Sequence, residues 1–230
     1  MKLILFDIDG TILWSDGAGR RAMTAALTRV FGGAGPTAYH YDGKTDPQIV
    51  RDLMRAEGHS DAVIDARMDD VAASYLALLE QELATGRRGM HVFDGVSELI
   101  SALEARPDAV VGLLTGNFCD GAMLKLSAAG LDVTRFRVGA YGSDHAHRPE
   151  LPAVALRRAR EALGIDVRGE DVVVIGDTPA DIECARSVGA RAVAVATGRF
   201  TVEDLAAHAP AAVFPTLADT AAVLEAIFDA

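Results

Sequence analysis

Leu3-Ile4-Leu5-Phe6-Asp7-Ile8-Asp9-Gly10-Thr11 decides the fold. Four apolar residues run without alternation, and two acids follow at a spacing of two. A run apolar on both faces suits a strand buried on both sides, as in a parallel sheet. The same form recurs outward along the chain. Val110 to Leu114 leads into Thr115-Gly116-Asn117, and Val172 to Ile175 leads into Gly176-Asp177. Arg135 to Tyr141, Ala192 to Ala196 and Ala212 to Phe214 are further runs. Helix-period segments separate them: Phe93 to Ala105, with Val96, Leu99, Ile100 and Leu103 on one stripe, then 119–129, 151–163, 179–188 and 219–228. Strands alternating with helices imply βαβ units and an α/β fold with a doubly wound parallel sheet.

One region breaks the alternation. From Ser15 to Arg88 no strand is evident; the patterns are helical, with Val63 to Glu82 the longest, around a Gly-rich stretch at Gly32 to Pro36 and a loop at Tyr41 to Pro47. This predicts a helical insertion after the first strand, with its exit near Gly86 to Gly89. The expected organisation is a core of residues 1–14 and 89–230 and an inserted module of residues 15–88.

Composition narrows the function. Half of the 230 residues are hydrophobic and 24% are charged, an ordinary globular balance. The net charge of −11 repels nucleic-acid phosphate and anionic membrane surfaces. An anionic ligand would therefore need local positive charge at its site. Cys119 and Cys184 form no CxxC pair, which predicts reduced thiols and a cytoplasmic setting. The N-terminal apolar run is interrupted by Asp7 and Asp9 before it reaches signal-peptide length. No run reaches the roughly 18 apolar residues of a membrane span.

Four stretches can carry chemistry. Asp7 and Asp9 stand where the first strand ends, and in open α/β sheets ligands bind at the carboxyl ends of the strands. Two close carboxylates repel unless a cation or proton lies between them, so the stretch fits either a metal site or a turn with acidic caps. Thr115-Gly116-Asn117 offers a hydroxyl and backbone N–H groups for an oxyanion, or a simple helix cap. Arg148, before Pro149, could neutralise an anion or lie on the surface; the nearby His145 and His147 lack a third metal ligand. Val172 to Asp181 ends a strand in Asp177, with Pro179 fit to open a helix and Asp181 four residues on. Those acids could face one pocket or serve the helix dipole.

Taken together and in order, the DxDGT, TGN, RP and GDTxxD elements resemble those of the haloacid dehalogenase superfamily of phosphohydrolases, with most similarity to its phosphoglycolate-phosphatase-like members. The resemblance covers essentially the whole chain, and the insertion looks like that family's helical cap of the first type. It implies that Asp7 is a nucleophile forming an aspartyl-phosphate and that Asp9 is the general acid and base. Mg²⁺ would be held by Asp7, Asp9 through its backbone carbonyl, and Asp177, with Asp181 as a direct ligand or one step removed. Thr115, Gly116, Asn117 and Arg148 would bind phosphate. Most relatives carry Lys where Arg148 stands, so Arg148 could lie off the site with Lys125 or another base substituting. Lys44, in the loop Tyr41 to Asp46, and Arg20 and Arg21 are candidates for reading the leaving group. The expected activity is Mg²⁺-dependent hydrolysis of a small phosphate ester, phosphoglycolate or similar, by a monomer or homodimer without nucleic-acid or membrane partners. A haloacid dehalogenase or sugar phosphomutase on the same scaffold is one alternative; a phosphoacceptor module, as in response-regulator receivers, is another.

Overall fold

A computed structural model describes residues 1–85 and 89–228. The chain runs β1 (Lys2–Phe6), β2 (Leu13–Trp14), α1 (Ala18–Phe31), α2 (Asp46–Ala56), α3 (Asp61–Asp65), α4 (Met68–Thr85), β3 (His91–Val92), α5 (Val96–Glu104) and β4 (Ala109–Thr115). It continues through α6 (Cys119–Ala128), β5 (Val138–Tyr141), α7 (Leu151–Leu163), β6 (Val172–Gly176), α8 (Pro179–Ser187), β7 (Arg191–Val195), α9 (Val202–Ala206), β8 (Ala212–Phe214) and α10 (Thr220–Phe228). Six strands make one parallel sheet in the order β5-β4-β1-β6-β7-β8.

The central strand shows why the run Leu3 to Phe6 lacks alternation. Ile4 and Phe6 bury into a layer with α5 residues Leu99 and Ile100, α6 residue Leu126 and α10 residue Ile227. Leu3 and Leu5 bury on the other face with Leu151 and Ala155 of α7, Ile182 of α8 and Leu205 of α9. Each fully buried side chain of this size contributes about 1.5–3 kcal/mol by leaving water. Helices thus cover both faces, and the sheet is doubly wound.

Register sets the functional edge. Phe6 lies beside Leu113 of β4 and Ile175 of β6, so Asp7, Thr115 and Asp177 all emerge at the carboxyl end of the sheet. The chain builds outward from β1 through β4 to β5, then returns to the opposite side of β1 with β6. The crevice at such a reversal of strand order is where doubly wound sheets bind ligands.

Helices α1 to α4 pack around their own apolar cluster, with Leu27, Val50, Leu53, Val71, Tyr75 and Leu79 among its members, and Phe118 of the sheet layer enters it. The crossing segments on either side pair as a two-stranded antiparallel ribbon, Leu13 opposite Val92 and Trp14 opposite His91. Of the expected exit from the insertion, residues 86–88 lie outside the described residues. The single long helix expected over Val63 to Glu82 is instead α3 and α4. Arg67, at the break, donates to the Val30 carbonyl at 2.7 Å. β5 begins at Val138 rather than Arg135, because Asp132 accepts from the Thr134 amide at 2.9 Å and winds Val133–Arg135 into a 3-10 turn. No described helix is long and apolar enough to cross a membrane.

Candidate active site

A cavity of about 500 Å³ lies between the carboxyl edge of the sheet and α1 and α2 of the helical layer. Asp7 enters it directly from β1. The turn that follows needs Gly10, whose φ of +85° is the left-handed region and whose missing Cβ makes room for Asp177: a Cβ there would lie 2.3 Å from Asp177 Oδ2. Gly198, in the loop after β7, presses on the same carboxylate, and a Cβ there would lie 1.8 Å from Oδ2. Thr11 donates to Asp177 Oδ1 at 3.0 Å.

Asp7, Asp177 and Asp181 offer carboxylate oxygens within 4.8 Å of one another, and all three are buried. Asp181 sits in the first turn of α8 and accepts from Thr178 N at 3.0 Å and Thr178 Oγ1 at 2.7 Å. Arg148 reaches in from the turn before α7. Its terminal nitrogen lies 2.8 Å from Asp7 Oδ2 and 2.5 Å from Asp181 Oδ1. Burial pushes Asp7 up to about 6; Arg148 pulls against that rise and Asp181 adds to it. Burial, with Asp181 and Asp7 as neighbours, also holds Asp177 well above the usual carboxylate range. Three buried carboxyl groups against one guanidinium leave a deficit of positive charge. A hard divalent cation with oxygen ligands fits that donor set.

The second half of the site follows β4. Thr115 is fully buried, and its Oγ1 accepts from Asn117 Nδ2 at 2.8 Å, leaving its own O–H to donate elsewhere. Asn117 Nδ2 also donates to Asp9 Oδ2 at 2.8 Å. The Asp9 carboxylate therefore turns away from the three-acid cluster and toward α6. Both cations weighed from the sequence are present. Arg148 is paired with Asp7, and Lys125 is paired with Asp9, its Nζ 2.6 Å from Asp9 Oδ2.

Other candidates are placed less centrally. Lys44 lines the cavity, with its Nζ 3.7 Å from Asp52 and 3.8 Å from the Tyr39 ring centroid. Arg20 lines it too, donating to the Thr37 and Tyr39 carbonyls and lying over Tyr41. Arg21 does not line it and pairs with Glu82. His145 and His147 are exposed and stand beside each other, outside the acidic cluster.

One participant was not visible in the sequence. Asp46, which the sequence places in the loop Tyr41 to Pro47 with no role of its own, opens α2. Its carboxylate accepts from the Phe118 backbone N–H at 2.7 Å, capping the start of α6. Its own N–H donates to the Gly116 carbonyl at 2.7 Å, and the neighbouring Thr45 hydroxyl donates to Ala146 O at 2.6 Å. These three bonds tie the insertion to the Thr115–Asn117 loop and to the segment before Arg148. Only the pairing over 72 and 101 residues of sequence reveals them.

Comparison with known proteins agrees with this architecture. The HAD-hydrolase-like family model matches residues 149–220, a segment that contains Asp177 and Asp181 and begins just after Arg148. No curated protein matches the sequence. Among solved structures, a hydrolase from Pseudomonas syringae is similar over 99% of both chains, with TM-score 0.74 and 20% identity. A predicted phosphoglycolate phosphatase from Haemophilus somnus 129PT matches 97% of this chain and 98% of its own, with TM-score 0.67 and 20% identity. CbbY from Rhodobacter sphaeroides, solved in complex with phosphate, covers 95% of this chain and 96% of its own at TM-score 0.69 and 18% identity. The fold is that of the haloacid dehalogenase-like hydrolases, along essentially the full length of the chain. The family match over residues 149–220 falls on the part of the chain that carries Asp177 and Asp181.

Proposed function

We propose that this protein is a Mg²⁺-dependent phosphomonoester hydrolase that acts on a small phosphorylated metabolite, phosphoglycolate or a similar ester. The observation that carries the reading is the convergence on one cavity of a buried carboxylate, Asp7, ion-paired with Arg148, and the buried Thr115 hydroxyl. Arg148 Nε is buried and has no acceptor among the described residues, so it retains a donor for a phosphate oxygen. The neighbour solved with phosphate and the predicted phosphatase neighbour are consistent with that ligand.

Asp7, Asp177 and the Asp9 backbone carbonyl would hold Mg²⁺, with Asp181 beside them. When bound, the ion supplies positive charge that favours ionised carboxylates and lessens repulsion between Asp7 and an anionic phosphate. The chain's own groups account for the rest. Arg148, the Thr115 hydroxyl and the backbone N–H groups of Gly116 and Asn117 orient the phosphate. An Asp7 oxygen attacks phosphorus as the ester P–O bond breaks, and Asp9 gives its proton to the leaving oxygen. Asp9 then takes a proton from the water that cleaves the Asp7–phosphate bond, so acid and carboxylate are both restored. Residues 15–88 serve as a cap that excludes water and contacts the leaving group, and Lys44, which lines the cavity, pairs with a substrate carboxylate. The two free thiols are compatible with a cytoplasmic setting.

The test is phosphate release from a panel of small esters with Mg²⁺ and again in EDTA, with Asp7→Asn alongside the parent. Loss of release in EDTA and in the variant is the expected outcome. Undiminished activity of Asp7→Asn would refute the nucleophile assignment. Halide release from a haloacid, or isomerisation without phosphate release, would replace the reaction class.

A further inference from the structure

Lys125 has no role in the mechanism above, yet it is buried and held by two short hydrogen bonds. It lies on α6, 4% exposed, at the lining of the cavity. Its Nζ is 2.6 Å from Asp9 Oδ2 and 2.6 Å from Asn117 Oδ1. Gly19 of α1 roofs it, and a Cβ at that position would stand 3.1 Å from the ammonium. A buried ammonium costs several kcal/mol unless it is paired and hydrogen-bonded, and these two partners supply both.

The pairing treats the two oxygens of Asp9 differently. Oδ2 accepts from Lys125 and from Asn117 Nδ2 at 2.8 Å. Oδ1 has one long contact, from Ser15 at 3.5 Å, and the carboxylate keeps 38% of its surface open. An oxygen already accepting two bonds, one of them charge-assisted, is the poorer site for a proton. Asn117 Nδ2 also reaches Thr115 Oγ1, so the same triangle ties Asp9 to the loop proposed to hold phosphate.

We infer that Lys125 is a positioning residue for the acid and base step: with Asn117 it fixes Asp9 through Oδ2 and leaves Oδ1 as the atom that gives and takes the proton. This rests on the phosphohydrolase reading. It differs from a purely structural ion pair because its effect passes through Asp9 and so depends on how much the leaving group needs a proton. It also separates the two cations of the site, since Arg148 engages Asp7 and Asp181 while Lys125 engages Asp9.

The experiment compares Lys125→Met with the parent on 2-phosphoglycolate, whose alkoxide leaving group needs protonation, and on 4-nitrophenyl phosphate, whose leaving group needs little. For the alkyl ester kcat/KM should fall about 10–100-fold, a part of the roughly 10²–10⁴-fold that general acid catalysis contributes because Asp9 itself is retained, with KM little changed. For the aryl ester the fall should stay within about threefold, because little acid catalysis is available to be lost. In an Asp9→Asn background, Lys125→Met should add nothing on whichever ester the parent turns over. Lys125→Gln, which keeps a donor for Asn117, replaces the Met variant if melting shows that variant misfolded. Equal losses on both esters, or losses that multiply with Asp9→Asn, overturn the inference while leaving the phosphohydrolase reading intact. A parent that hydrolyses neither ester overturns both.

Discussion

Asp46 offers a sharp test of how the insertion meets the sheet. Burial raises its carboxyl from 3.8 to about 6; Lys125 and the Phe118 N–H act against that rise, and Asp9 adds to it. The folded protein therefore holds the proton more tightly than the unfolded chain. No penalty exists at pH values below about 3.8; it grows through the window between 3.8 and about 6 and is complete above it. At about 1.4 kcal/mol per pH unit, the ionised group costs the folded state about 3 kcal/mol. Asp46→Asn removes that charge and keeps an oxygen to accept from Phe118. The variant should match the parent at pH 4 and exceed it at pH 8, by up to roughly 6–12 °C in Tm for a chain of this size. Thermal melts in buffers from pH 4 to pH 8 would measure it. An equal or lower Tm at pH 8, or a gap that does not widen with pH, would refute the reasoning.

Four further outcomes are expected. Arg148→Met leaves Asp7 and Asp181 facing each other without their shared cation, and its melt in EDTA should show a loss on the order of 3–5 kcal/mol. Arg148→Lys, with a point charge in place of the fork, should fall between the Met variant and the parent in both Tm and kcat. Gly198→Ala forces a methyl onto Asp177, so the Mg²⁺ concentration for half-maximal activity should rise about 10–100-fold, the scale seen when metal-orienting contacts are lost. Lys44→Ala should raise KM for phosphoglycolate about fivefold, the value of one partly exposed ion pair, and leave 4-nitrophenyl phosphate nearly unchanged; equal changes on both esters would remove Lys44 from substrate recognition.

The parts legible in the sequence were those written locally. Leu3 to Phe6 and Val172 to Ile175 read as strands because burial on both faces leaves no polar position, and the acids beyond them marked the functional edge. Lys125 was legible as a possible base but not as the partner of Asp9, because its spacing on α6 is equally that of a solvated helix face and its partner lies 116 residues away. Asp46 was hidden for the same reason: an acid before a proline already has a sufficient local explanation. The ribbon of Leu13–Trp14 with His91–Val92 is two residues long on each side, too short for any periodicity. The break between α3 and α4 carries no Gly or Pro, and only the reach of Arg67 to Val30 explains it.

That short ribbon has a consequence for how the chain finds its fold. β1 and β4 are neighbours in the sheet, but Lys2 must meet Ala109 across more than a hundred residues of intervening chain. Closing so long a loop is entropically costly and slows assembly. Helices α1 to α4 share an apolar cluster of their own, and the ribbon joins the two ends of that stretch. Once they have condensed, the effective gap between β1 and β4 is only the distance from the ribbon through α5. An insertion that condenses first would act as a tether that delivers the two central strands to each other, and destabilising its packing should then slow the refolding of the sheet, as read by stopped-flow refolding of a core variant such as Leu53→Ala.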